Sequence, residues 1–402
     1  MQVNLIGLGG GAEENRTAET RRALNRADLV LGAERLLNNL PAAEKQMRIA
    51  ATRSADIFAR LRETEAEFPC VVFSGDTGFY SGADSLITLL RENGIAFRVL
   101  PGLSSVQLLA ARLGRPWQDW TLCSAHGAAC DPVAALMTGR PAFFLTGGRQ
   151  TPASLCREIR DAGLGALGAA VGENLGCEGE RVVTGTAADF AERDFAPLSV
   201  LLVEAAPCPL RRAGGIPDEA FCRGEVPMTK QEVRAAILAK LAVGPEDTVW
   251  DVGAGTGSVA VELALVARQG RAYAVEYRAE ACALIEENRR RFGAWNLRLV
   301  RGTAPEALEE LPTPDAVFIG GSGGKLEEIV GAVLAKNPKA RLCVSAIALE
   351  TLSAALDIFS ALDLDAEVTQ IAVSRAKPGG RLHLLLANNP VFLLSACRET
   401  GL

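Results

Sequence analysis

At 402 residues the chain is too long for one ordinary domain and predicts two or three. Hydrophobic residues make up 49 % of it, enough for sizeable cores, yet no apolar run approaches the roughly 18 residues of a membrane span. A net charge of −6 argues against an extended phosphate-binding surface, so neither a nucleic-acid nor a membrane partner is expected, although a local basic groove stays open.

The N-terminus, Met1-Gln2-Val3-Asn4-Leu5-Ile6-Gly7, has no basic region, and glycines interrupt its apolar run at once. It reads as a first strand and not as a signal peptide, which predicts a cytoplasmic protein. That strand, Val3–Ile6, ends in Gly7-Leu8-Gly9-Gly10-Gly11 and is followed by a helical stretch from about 17 to 26 and a short strand over 28–31. A buried strand over 70–74 runs into Gly75-Asp76-Thr77-Gly78-Phe79-Tyr80-Ser81-Gly82, and the next helix stops near Gly94, a C-cap residue. A strand over 97–100 then leads into Pro101-Gly102-Leu103-Ser104-Ser105 and a further helix. Strand, glycine loop and helix, three times over, predict a mostly parallel sheet with helices on its faces. From about Trp117 the pattern changes, and strands over 142–146, 169–172, 180–184 and 199–203 predict a second sheet. The first 206 residues therefore read as one domain of two subdomains, 1–115 and 116–206, with a ligand cleft between them.

A run of breakers over 206–227, with Pro207-Cys208-Pro209, Arg211-Arg212, Gly214-Gly215-Ile216-Pro217 and Pro227, marks a linker, and 207–402 reads as a second domain. Thr229-Lys230-Gln231-Glu232 has the form of a capping box opening an amphipathic helix to Leu241. Strands over 248–252, 271–276, 297–301, 315–319 and 341–347 alternate with helices, and two last strands near 366–374 and 381–387 are joined by Lys377-Pro378-Gly379-Gly380. Five βα units closed by an antiparallel hairpin predict a doubly wound, Rossmann-like α/β domain.

The turn Asp251-Val252-Gly253-Ala254-Gly255-Thr256-Gly257 sits where a strand passes into a helix, so its glycines admit a ligand to the backbone and to the helix N-terminus. Glu276 ends the next strand, where an acid accepts both ribose hydroxyls of NAD or of S-adenosylmethionine. Asp251 at the turn suits a cationic amino-acid cofactor and repels a pyrophosphate, and the closing hairpin also favours S-adenosylmethionine. A helix-cap role for Asp251 is the plainer alternative.

Ten scattered cysteines without a Cys-x-x-Cys pair read as free thiols, and two distant histidines, His126 and His383, predict no zinc site. Of the 42 basic residues 35 are arginine, which suits a carboxylate-bearing substrate or simply reflects a GC-rich genome.

From about Gly214 onward the chain resembles the decarboxylating methyltransferases of precorrin processing in cobalamin biosynthesis. The matching pieces are Gly215–Phe221, Pro227–Arg234, Asp251–Gly257, Ala304-Pro305-Glu306-Ala307-Leu308 and Phe318-Ile319-Gly320-Gly321-Ser322-Gly323-Gly324. The last, a glycine-rich end to the fourth strand, leaves room for a bulky ring. Thr303 stands where that family often carries an acid near the adenine. The resemblance implies cofactor contacts at Thr229, Asp251, Gly253, Gly255, Thr256, Gly257, Glu276, Thr303, Ala304 and Gly320.

Gly7–Gly11, Gly75–Gly82, Pro101–Ser105, Ser124-Ala125-His126-Gly127, Glu173-Asn174-Leu175 and Glu180-Arg181 resemble the tetrapyrrole methylase family, whose cofactor lies folded between two subdomains. That implies a second S-adenosylmethionine site, one per module, with contacts from Leu8, Gly9, Asp76, Phe79, Ser104 and Ser105. Ala128 stands where that family often has a basic residue. The duller alternatives are a tight turn at Gly7–Gly11, a helix cap at Asp76, a structural loop histidine at His126 and a solvated helix end at Arg289-Arg290-Arg291.

Together the resemblances imply methylation of an anionic tetrapyrrole, precorrin-6B, at meso carbons 5 and 15 with loss of the ring C acetate carboxylate, by a homo-oligomeric enzyme. The other readings are an RNA or tRNA methyltransferase, an NAD-dependent oxidoreductase, and a tetrapyrrole-binding scaffold with degenerate sites.

Overall fold

The computed structural model describes residues 2–41, 43, 45–126, 130–207 and 214–397. Gly127, Ala128 and the linker residues from Cys208 to Arg212, singled out above, lie outside the described residues. The chain divides into two compact units. The first comprises residues 1–132, 140–161 and 165–205; the second comprises 133–139, 162–164 and 206–402. No helix among the described residues is long and apolar enough to cross a membrane. The nine described cysteines are all free thiols.

The first unit carries two sheets. β1 (Gln2–Gly7), β2 (Leu29–Gly32), β3 (Met47–Ala50), β4 (Pro69–Phe73) and β5 (Ala96–Leu100) form an all-parallel sheet in the order β3-β2-β4-β1-β5. Alternate residues serve opposite cores: Val3, Leu5, Leu29 and Leu31 pack into one, Ile6 and Val30 into the other. A sheet buried on both faces needs such continuous apolar strands. β6 (Thr121–Ser124), β7 (Ala142–Leu145), β8 (Gly168–Glu173), β9 (Arg181–Thr186) and β10 (Ser199–Val203) form the second sheet, β6-β7-β10-β8-β9, in which only β6 and β7 run parallel.

The second unit is built on a seven-stranded sheet. β11 (Thr248–Val252), β12 (Arg271–Glu276), β13 (Leu297–Arg301), β14 (Ala316–Ile319) and β15 (Arg341–Ala346) are parallel in the order β13-β12-β11-β14-β15. β11 pairs with β12 on one side and β14 on the other, so the winding reverses there and opens a crevice at the strands' carboxyl ends.

Beyond β15 the order departs from expectation. β16 (Ala366–Ile371) is followed by a separate two-stranded ribbon of β17 (Ser374–Gly379) and β18 (Leu382–Ala387), and β19 (Val391–Ala396) then enters the sheet antiparallel between β15 and β16. The antiparallel closure is therefore β16 with β19, and Lys377–Gly380 lies at the tip of the ribbon instead of joining two sheet strands. Apolarity misled here: Leu382, Leu384, Leu385 and Leu386 are all exposed, whereas Leu393 and Leu394 are fully buried.

A second correction concerns Thr229. The helix is Gln231–Leu241 with Lys230 at its N-cap, and no side chain caps it. The capping-box partners have other engagements: the Thr229 carbonyl accepts from Arg234, and the Glu232 carboxylate accepts from Arg375 at 2.8 and 2.9 Å.

Candidate functional sites at the strand ends

In the second unit, β11 ends at Val252 and the chain turns through Gly253 into the helix Ser258–Val266. Gly253 adopts φ +74°, and a Cβ there would stand 2.5 Å from the Gly321 carbonyl oxygen, so the two glycine loops touch backbone to backbone. Beside them lies a cavity of about 460 Å³ whose lining includes Thr229, Asp251, Gly253, Gly255, Thr256, Glu276 and Gly320. Thr303 and Ala304 line an adjoining cavity of about 160 Å³ that shares Gly253 and Glu276 with the first. Gly257 lines neither; it is the left-handed N-cap of the following helix.

Two polar side chains in this crevice have no partner. Both carboxylate oxygens of Asp251 and the hydroxyl of Thr256 are buried without a hydrogen bond among the described residues. Burial pushes the Asp251 carboxyl up to about 7, the Ala260 amide offsetting this only in part and the Glu276 charge adding to it. Unmatched buried polar groups are costly, and a ligand that pairs with them recovers that cost. The Ala260 amide belongs to the first turn of the helix Ser258–Val266, so the helix-cap alternative for Asp251 stands beside the ligand reading, although the N-cap itself is Gly257.

Glu276 is committed. It accepts from the Gly255 amide at 2.9 Å and from the Tyr277 and Arg278 amides at 3.1 and 3.0 Å, and Arg278 Nε stands 3.3 Å away. Burial alone would raise its pKa, but the Arg278 and Gly255 hydrogen bonds prevail and hold it below the usual carboxylate range. The acid thus ties the end of β12 to the glycine turn. Thr303 donates to Glu306, which also pairs with Lys325 at 2.7 Å.

In the first unit three glycine loops converge. Gly9 and Gly75 exchange backbone hydrogen bonds of 3.0 and 2.9 Å. A Cβ on Gly102 would stand 2.4 Å from the Gly75 carbonyl oxygen, which explains the glycine in Pro101-Gly102. Asp76 fastens the cluster by accepting from the Gly78 amide at 2.9 Å and the Gly102 amide at 3.1 Å. It is not a helix cap; the next helix, Ala83–Glu92, begins after Gly82.

These loops border a cavity of about 340 Å³ that also meets the second sheet. Gly9, Asp76, Phe79, Ser104, Ser105 and His126 all line it, with Thr146 and Ser199 from the far side. Leu8 does not. Its side chain is 1 % exposed and packs in the core of the first sheet, leaving only its backbone near the turn. Ser104 is occupied as well: with Gln107 it forms the capping box of the helix Ser105–Leu113.

Sequence reasoning missed Arg35, which lines this cavity from the helix Glu34–Asn38. That helix is only five residues long, so no periodicity announces it. Glu173 and Glu180 belong to the pieces that resemble the tetrapyrrole methylase family. Here they hold the protein together, Glu173 accepting from Arg181 Nε at 2.6 Å and the Ala196 amide at 2.8 Å, Glu180 from the Gly176 amide at 2.7 Å.

The model of tetrapyrrole (corrin/porphyrin) methylases matches residues 2–191, and that of the precorrin methyltransferase domain matches residues 219–398. The chain is 33 % identical to a precorrin-6Y C(5,15)-methyltransferase (decarboxylating) of Sinorhizobium sp. over 94 % of its own length and 92 % of the relative's. It is 46 % identical to a probable cobalt-precorrin-6B C(15)-methyltransferase (decarboxylating) of Pyrobaculum calidifontis, covering 45 % of this chain and 95 % of that one. A crystal structure of precorrin-6y C5,15-methyltransferase from Geobacter metallireducens matches 46 % of this chain and 97 % of its own, with 37 % identity and a TM-score of 0.44. A tetrapyrrole methylase module and a precorrin methyltransferase module follow one another in this single chain, which belongs to the family of the decarboxylating precorrin-6Y C(5,15)-methyltransferases.

Proposed function

We propose that the chain methylates precorrin-6B at meso carbons 5 and 15 and removes the ring C acetate carboxylate, giving precorrin-8. The domains are taken as 1–206, acting at carbon 5, and 207–402, acting at carbon 15 and in the decarboxylation. The observation that carries this reading is the relative of that named activity, which runs along nearly the whole chain through both modules.

S-adenosylmethionine would supply the methyl group at each of two sites. The residues present fit it. In the second unit the unpartnered Asp251 and Thr256 suit its ammonium and carboxylate ends, and Glu276, Thr303 and Ala304 surround the space for its nucleoside. In the first, Gly9, Asp76, Phe79, Ser104 and Ser105 border a cavity of comparable kind. A meso carbon between pyrrole-derived rings is already enamine-like, so the protein has mainly to align it with the methyl group and exclude water. Arg35 in the first cavity and Lys230 and Arg278 in the second are the cations placed to hold peripheral carboxylates. His126 also lines the first cavity, and a proton-transfer role for it stays secondary to that alignment.

Self-association belongs to this reading. A lone two-stranded ribbon is marginal in water, and β17–β18 exposes four leucines, Leu385 to 73 %. A cytoplasmic location is proposed on the sequence argument alone.

The test is calorimetry on the full chain with S-adenosylmethionine, followed by mass analysis of the product from precorrin-6B. Two cofactor sites and a product gaining two methyl groups and losing carbon dioxide are expected. Binding of NAD, or methyl transfer to RNA in place of the tetrapyrrole, would overturn the proposal.

A further inference from the structure

Next to the crevice of the second unit that holds Asp251 and Glu276 is a different kind of space. A cavity of about 280 Å³ lies beyond the ends of β14 and β15, between the Gly320–Gly324 loop and the start of the helix Leu349–Ala361. Its lining holds Ser322, Ser345 and Thr351 with Ile319, Leu326, Val344 and Ile347, and no charged side chain among the described residues. The neighbouring crevice shares Gly320, Gly321, Gly323, Ser345 and Ile347 with it but contains Asp251, Glu276, Lys230 and Arg278. Lys325, beside the loop, is held by Glu306 at 2.7 Å. The hydroxyls of Ser322, Ser345 and Thr351 are uncommitted among the described residues. At Gly323 and Gly324 an added Cβ would meet nothing within 4 Å, so the ledge faces open space.

Losing carbon dioxide makes a specific demand on its surroundings. The carboxylate carries a full charge before the reaction and none after it, because its bonding pair moves into the ring. A lysine or arginine held against it stabilises the starting state more than the transition state and slows the step. Neutral hydroxyls orient the group without that penalty, because they add no opposite charge to the starting state.

We propose that this uncharged cavity receives the acetate carboxylate that departs as carbon dioxide, while the charged crevice beside it serves methyl transfer. The inference rests on the substrate reading given above. The bond between the acetate methylene and its carboxylate carbon breaks, and the electron pair enters the conjugated, protonated macrocycle. Carbon dioxide leaves, and a proton from water then converts the methylene to a methyl group. The net change is loss of carbon dioxide and gain of one proton at carbon, with no oxidant or reductant.

Thr351 lines the uncharged cavity and not the charged crevice, so it separates the two steps. The experiment compares Thr351→Lys with Thr351→Gln in the full chain, reading carbon dioxide released per methyl group transferred. Both replacements add similar bulk, and only one adds charge. The lysine variant is expected to show a ratio at least about fivefold below that of the glutamine variant, with a carboxylate-retaining methylated product accumulating. Equal ratios in the two variants would overturn the proposal. Because both products are counted from the same folded chains, a loss of folded protein common to the two variants leaves the ratio unchanged. Failure of the unsubstituted chain to act on precorrin-6B is a separate result, which removes the substrate reading itself.

Discussion

Arg234 Nε and Glu262 Oε1 stand 2.7 Å apart, and both side chains are completely buried. Glu262 also accepts from the amides of Gly214, Gly215 and Ile216 at 3.0, 2.7 and 3.2 Å. Arg234 reaches Asp218 at 2.9 Å and stacks on the Phe221 ring at 4.7 Å. The pair therefore staples the lead-in segment 214–221 onto the helices Gln231–Leu241 and Ser258–Val266. Removing Glu262 strips the acceptor from three backbone amides and takes one of two carboxylates from the buried Arg234, whose remaining ion pair is with Asp218. Glu262→Ala is expected to cost about 3–5 kcal/mol of stability in the second unit, measured by denaturant unfolding.

Asp251 gives a pH signature. Its folded-state carboxyl lies near 7 against an ordinary value of 3.8, chiefly through burial. The folded chain thus keeps a proton that the unfolded chain has released, so this contribution to stability is full below the lower value and lost as pH rises through the higher one. Asp251→Asn should flatten that part of the stability profile. Because the ionised carboxylate suits a sulfonium cofactor, wild-type affinity should climb through about pH 7 while that of the asparagine variant does not. Titration calorimetry at several pH values checks both.

Glu276→Ala removes the acceptor for the Gly255 and Arg278 amides. Charge-assisted hydrogen bonds of this kind contribute about 1.5–3 kcal/mol, so cofactor affinity at the second site is expected to fall by roughly 10- to 100-fold. The first site, in the other unit, should keep its affinity.

Gly102→Ala acts on the other unit. Its Cβ would press on the Gly7 and Gly75 carbonyl oxygens at 2.6 and 2.4 Å, forcing the loops around Asp76 apart. The expected outcome is a drop in bound cofactor from two per chain to one, with methylation at carbon 15 and decarboxylation retained.

The ribbon leucines predict a change of assembly. Replacing Leu382, Leu384 and Leu386 together by glutamate should lower the solution mass to that of one chain in light scattering, with the two sheets of the first unit unaffected. An unchanged mass would exclude the ribbon as the contact.

The parallel strands, their glycine turns and Glu276 were legible in the sequence because strand, turn and helix each leave a strong local pattern. Strands β3 and β6 were not seen, because their residues are only partly buried and carry no continuous apolar run, unlike β2 and β7 of the same length. Asp251 was recognised as chemically telling, but only the structure shows that its carboxylate has no partner. Thr229 misled, having the letters of a cap without the role. Ser104, proposed as a ligand contact, lines the first unit's cavity and also caps the helix Ser105–Leu113. A local pattern cannot report where a distant arginine such as Arg375 will draw a glutamate away.

The position of β19 bears on how the second unit comes into being. β16 reaches the main sheet through β19, yet it is synthesised first and must wait while the whole ribbon is made. During that interval β15 and β16 both present unpaired edges beside a leucine-rich segment, an arrangement prone to pairing with the wrong chain. Insertion of Leu393 and Leu394 ends that exposure in one step. A nascent chain stalled just short of Val391 would therefore be the most aggregation-prone length of this protein.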